Sequence, residues 1–250
     1  MNEQQPKFAD VKGFVENYLG QIYQRQVSDS SDTVWCEQWW RHPEAAIRLD
    51  ALWRGWEHLH RDERGGLSYW LLRHADPHMA KLFDPRGTFK YCGVRHGHVD
   101  RIEPLPVESP PAELMAGMAP AGPDFVYGNV VEFVEEYLAK VYRRQVVDVS
   151  GISWCPQWWR HPEAAVRLEA LWRAWEYWRT KASIGLSTWF LEHADLQMAK
   201  LFDPNGPFKY CDARGGHQSN MNPLPLTAEL EGMWTNPAPE DMGLPSAGRG

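Results

Sequence analysis

Two Cys–His pairs with a common spacing are the first residues in this sequence that could do chemistry. Cys36 and His42 lie in WCEQWWRHPEA (35–45), and Cys92 and His98 lie in KYCGVRHGH (90–98). In both, the histidine follows its cysteine by six positions. Further along, WCPQWWRHPEA (154–164) and KYCDARGGH (209–217) supply Cys155, His161, Cys211 and His217 in the same way. Thiolate sulfur and imidazole nitrogen together select a borderline-soft cation, zinc above all, in a tetrahedral set. One Cys2His2 site per copy would tie the start of a helix to a C-terminal loop, with His74 and His193 as alternate ligands. The spacing is not that of a standard zinc finger, where paired cysteines lie two to four residues apart. Free cysteine is also among the most buried residue types, so buried thiols with hydrogen-bonded histidines compete with metal and, on spacing alone, take precedence. Zinc remains the only cofactor suggested, and Cys92 with His98, in a glycine-containing loop, is the pair first expected to bind it.

Other chemistry has less support. His42-Pro43-Glu44 mimics half of a zinc-deaminase signature, but the P-C-x-x-C half is missing. No H-E-x-x-H helix, nucleophile elbow, phosphate-binding loop or dinucleotide fingerprint is present. A cysteine nucleophile served by a histidine, such as Cys92 with His98 or His74, lacks any local signature. Tryptophan and arginine are enriched at interface hot spots, so Trp39, Trp40 and Arg41, with Trp158, Trp159 and Arg160, form candidate partner-binding patches. Most of the 14 tryptophans must fill cores, yet of two adjacent ones at least one is free to face outward. The expected function is a non-catalytic interaction or adaptor protein with an unidentified protein partner. A metal- or thiol-dependent enzyme and a nucleic-acid-binding accessory factor are the rivals.

The elements that must position these residues occur twice. With an offset of 119, residues 14–98 align without a gap on 133–217, and 53 of the 85 positions are identical. The expected organisation is a first repeat domain at 8–102, a Pro/Ala-rich acidic linker at 103–126, a second repeat domain at 127–222, and a Pro/Gly-rich, largely disordered tail at 223–250. Asp10 and Asn129 suit N-caps for a first helix reaching about Gln26. Pro43 and Pro162 mark the start of a second, ending near His60 in the first copy. Ser68 and Ser187 suit caps for a third, with a break near Asp76 where Asp-Pro interrupts the first copy. A compact loop or short hairpin carrying Cys92 and His98 follows. The fold class is therefore mainly α: two homologous small helical domains, each of three to four helices plus a Cys/His-containing C-terminal loop.

The formal charge of −7 is concentrated. Between Ile102 and Ala139 there is no lysine or arginine, and seven acids lie there: Glu103, Glu108, Glu113, Asp124, Glu132, Glu135 and Glu136. The repeats themselves are near neutral and show no basic cluster of the kind nucleic acid demands. No secretory signal or membrane-spanning run is visible, which points to a cytoplasmic protein with reduced thiols and no membrane partner.

The pattern W-x-x-x-WW-x-H-P-E-A-A, followed by S-x-W-x-x-x-H-x-D-x-x-M and G-x-F-x-x-C-x-x-x-x-x-H, resembles a domain-of-unknown-function family of actinobacteria, often carried on plasmids, phages and integrative elements. The matching runs are 35–57, 68–79 and 87–98, and again 154–176, 187–198 and 206–217. The resemblance covers most of both repeats but neither the linker nor the tail. It implies a cytoplasmic, mobile-element setting and assigns no catalytic residue.

Overall fold

A computed structural model describes residues 5–28, 31–117, 121–146, 151–212 and 215–225. Seven helices and no strand occur among them, and residues up to Gln218 form one compact unit that holds both repeats. The tail expected to be disordered lies, from residue 226, outside the described residues.

The first helix of each repeat, α1 (11–22) and α5 (130–141), opens on the expected cap. The Asp10 carboxylate accepts from Gly13 N at 2.7 Å, and the Asn129 side chain from Glu132 N at 3.0 Å. Both helices widen into a π-helical turn, Val15–Leu19 and Val134–Leu138, which buries Phe14 with Val15 and Leu19, and Phe133 with Val134 and Leu138. They end at Ile22 and Val141, earlier than expected. Tyr23 and Tyr142 leave helical geometry, and their hydroxyls donate to Asp76 Oδ1 at 2.5 Å and Asp195 Oδ1 at 2.7 Å.

The second helix, α2 (Pro43–Leu59) or α6 (Pro162–Trp178), begins with proline at its first turn, where no amide hydrogen is required. Ala45, Leu49, Leu52 and Trp56 recur at helical spacing and are buried. The third helix, α3 (66–83) or α7 (185–201), starts two residues before the serines expected to cap it. Close approach to the preceding helix sets that start: a Cβ on Gly66 would lie 2.0 Å from Leu59 O, and one on Gly185 2.2 Å from Trp178 O. The expected break near Asp76 is instead a π-helical turn, Leu71–Ala75, through which the helix continues. The second copy has the same turn at Trp189–Ala194 although Leu196 stands where the first has Pro77, so proline does not cause it. Trp70 and Trp189 sit fully buried at the repeat centres, their indoles donating to Leu52 O and Leu171 O. A short helix, α4 (Ala112–Ala116), lies in the linker, with Met115 packed against the second core.

The repeats share a polar joint. Arg48, 0% exposed, donates to Glu44 on its own helix, to His78 Nδ1 at 3.1 Å, and to both oxygens of Asp195 in the second repeat. Arg144 closes on Glu44 at 2.6 Å, and Gln145 accepts from Lys90 and Tyr91. Because Arg48 donates to His78 Nδ1, the His78 proton sits on Nε2 and is donated to Ser187 Oγ, 2.9 Å away; the Ser187 hydroxyl then donates to His74 Nδ1 at 2.7 Å. Residues 104–108, whose composition suggests a free tether, lie along the second repeat: Leu105 is buried and donates to Ala139 O, while Trp154 and Trp159 donate to Pro106 O and Glu108 O.

Candidate metal centre

The segment before the second helix, the start of that helix and the C-terminal loop converge on each Cys/His cluster. Cys36 precedes a 3-10 turn, Trp39–Arg41, that swings the chain into α2, and His42 is the residue before Pro43. That proline holds His42 in extended backbone, φ −104° and ψ 110°, which turns its ring back toward the loop. Cys92 and His98 flank a single antiparallel bridge between Gly93 and Gly97, tightened by the left-handed Gly97 at φ 65°. The second repeat reproduces this with a bridge between Asp212 and Gly216 and φ 69° at Gly216.

The four ligand atoms of each set lie within 4.8 Å of one another. In the first, His42 Nε2 is 3.0 Å from His98 Nδ1 and 3.4 Å from Cys92 Sγ, and Cys36 Sγ is 3.6 Å from His98 Nδ1. The corresponding distances in the second are 2.9, 3.4 and 3.9 Å. A tetrahedron built on ordinary zinc bond lengths has edges of about 3.4 Å between nitrogens and about 3.6 Å between nitrogen and sulfur. Cys36, His42 and Cys92 are buried, as are Cys155, His161 and Cys211, while His98 and His217 are half-buried at the edge of each donor set. All four thiols are free of disulfide partners.

The electrostatics suit a cation. The neighbouring Cys36 and the contact from His42 hold the Cys92 thiol down to about 4, while Cys36 is raised in return. Burial, and then the charge of Cys211, pushes Cys155 up to about 12. His161 is held down to about 4 by burial and then by His217, so its lone pair is free at neutral pH. Backbone amides of Val99 and Gln218 point at Cys92 Sγ and Cys211 Sγ from 3.5 and 3.2 Å, the outer-shell contact that steadies a thiolate ligand.

All eight residues proposed from the sequence fall into these two sets. The alternates do not: His74 faces Ser187 across the joint, and His193 accepts from the Trp178 indole at 3.0 Å. Of the tryptophan patches, Trp39 and Trp158 are core residues, Trp40 is 56% exposed, and Arg41 and Arg160 are exposed. Trp159 is half-buried beneath residues 104–108. Sequence reasoning missed Arg48 and Asp195, whose counterparts Arg167 and Asp76 are identical in type. No helix among the described residues is long and apolar enough to cross a membrane.

Fold and site together define a tandem pair of small helical units, each with a buried Cys2His2 cluster that could hold a metal ion. The model of the family described as domain of unknown function DUF4913 matches residues 8–111 and 127–229, and the chain belongs to that family, carrying it in two tandem copies. No curated protein and no solved structure matches the chain.

Proposed function

We propose that the chain is a non-catalytic interaction protein whose two repeats are each closed by a structural zinc ion. The observation that carries this reading is the complete set of four converging protein donors in each repeat, with interatomic distances near those of tetrahedral zinc. A catalytic zinc keeps one position open for water or substrate; here four side chains fill the shell, which disfavours the metal-enzyme alternative. Burial of all four thiols likewise disfavours a cysteine nucleophile. The exposed Trp40 beside Arg41 supports recognition of a protein surface. A cytoplasmic, actinobacterial, mobile-element setting, as the family resemblance implies, suits reduced thiols.

Elemental analysis of the purified chain should give about two zinc ions per chain, one for each set. Cys92→Ser should lower this to about one while leaving the second site loaded, and chelation should lower the melting temperature by several degrees. A metal-free chain whose stability is indifferent to chelator sinks the proposal.

A further inference from the structure

The joint between the repeats runs head to tail. On the first-repeat side stand Glu44, Arg48, His74, His78, Lys90 and Tyr91; on the second-repeat side stand Tyr142, Arg144, Gln145, Ser187 and Asp195. The offset of 119 gives each of these a counterpart. The spare first-type half is Glu163, Arg167, His193, Gln197, Lys209 and Tyr210. The spare second-type half is Tyr23, Arg25, Gln26, Ser68 and Asp76. Ten of these eleven positions carry the same residue in both copies, His78 and Gln197 being the exception.

A two-fold joint would bury both sets of halves against each other. Here only one set is used. Arg167 turns back on Glu163 of its own helix at 2.8 Å and on Gln197, and the Glu163 side chain is 53% exposed. Tyr23 already holds Asp76 as Tyr142 holds Asp195, yet Asp76, Arg25, Gln26 and Ser68 face solvent. Each molecule thus displays a spare copy of both halves, with cationic Arg167 on one and anionic Asp76 on the other.

The groove tells the same story independently. In the second repeat, residues 104–108, which leave the first repeat, fill the channel beside Trp154 and Trp159. The matching channel of the first repeat is a cavity of about 360 Å³ lined by Leu19, Trp35, Trp39, Trp40 and Phe83. Its indoles Trp35 and Trp40 find no equivalent acceptor among the described residues. Pro104-Leu105-Pro106 recurs in the sequence as Pro223-Leu224-Pro225 after the second repeat, and Leu224 is 83% exposed.

We propose that a second copy of this chain occupies both sites: its Arg167 face docks on the Tyr23–Asp76 face of the first copy, and its Pro223-Leu224-Pro225 segment lies in the first copy's open groove. The relation that joins the repeats within one chain is thereby repeated between chains. Such a contact is heterologous, so it closes into a ring or extends as a filament. The proposal rests on the interaction reading above and names the partner.

Sedimentation velocity from roughly 1 to 100 μM tests it, with Kd values in the range common for modest interfaces. The wild-type mass should rise with concentration. Arg167→Glu and Asp76→Leu should each weaken association at least about tenfold, because a buried charge pair loses a partner. An equimolar mixture of these two variants should form a 1:1 heterodimer and nothing larger, since each retains the half the other has lost; this also shows that both are folded. Leu224→Asp should weaken association as well. A wild-type chain that stays monomeric across the range, or variants that fail to complement, overturns the proposal. Association unchanged by Leu224→Asp overturns the groove contact. A monomer that still carries zinc would refute self-docking alone, and a zinc-free assembling chain would refute only the structural-zinc reading.

Discussion

At the scale of single residues, the two Cys/His clusters and Arg48 owe their surroundings to different causes. Cys36, His42, Cys92 and His98 announce themselves by chemistry and by the twice-used spacing, and the structure brings these four together. What spacing could not supply was a distance. Two C-x5-H pairs are equally compatible with separate buried thiols until the loop glycines fold one pair onto the other. Arg48 is the opposite case, since its counterpart Arg167 sits in an almost identical sequence context. Contact with the second repeat, Asp195 above all, separates them, and burial accompanies that contact. Removing the Arg48 head group should therefore strand Asp195 without its cation. Arg48→Met is expected to cost about 3–5 kcal/mol, whereas Arg167→Met in dilute solution should stay within about 0.5 kcal/mol. Urea denaturation of the two variants checks this; equal losses would mean that the joint adds nothing to stability.

At the scale of elements, apolar periodicity with Asp10, Asn129, Pro43 and Pro162 placed the first two helices of each repeat, while the third rested on serines that suit caps. The third start was misplaced because Ser68 and Ser187 look like caps, while the determinant is the missing Cβ of Gly66 and Gly185 against the end of the preceding helix. Steric need of this kind involves a neighbour that local sequence does not reveal. It also makes a sharp prediction: Gly66→Ala must push α3 away from Leu59 O and should destabilise the chain by about 2 kcal/mol or more, measured by thermal or chemical denaturation. Ala substitution at Gly13, whose Cβ would meet only the Asp10 carboxylate at 3.5 Å, should be tolerated. The second helix shows why one copy cannot be read from the other. In α2 a second face, Glu44, Arg48, Ala51 and Gly55, is buried against the partner repeat. In α6 the matching positions Glu163, Arg167, Ala170 and Ala174 are all at least partly accessible. A Cβ on Gly55 would only reach ordinary contact, 3.6 Å from Trp70 and 3.8 Å from Ile184, so the alanine at the matching position of α6 does not by itself account for the asymmetry.

At the scale of the whole molecule, the joint makes stability depend on pH. Burial opposes charge on Glu44 and Asp195, but the guanidinium groups of Arg144 and Arg48 outweigh it and hold both carboxyls below their usual range. Burial pushes His78 well below its usual value, assisted by Arg48 and His74, and burial alone lowers His74. In every case the unfolded chain binds protons more readily than the folded one, so stability falls as pH falls. The histidine contribution is complete above about pH 6.5 and is lost as the pH drops from there toward the folded-state values. The carboxylate contribution is complete above about pH 4 and is lost only below it. Two stages of acid destabilisation are therefore expected. The first can be isolated with His78→Gln, which installs the residue already present at Gln197, where it accepts from Arg167. Glutamine can accept from Arg48 and donate to Ser187 without titrating, so the variant should unfold at lower urea than the wild type at pH 7.5 but close the gap, or overtake, near pH 5. Any proton-linked loss of metal is common to both proteins and drops out of the difference. A gap independent of pH would show that His78 is not held neutral by the joint.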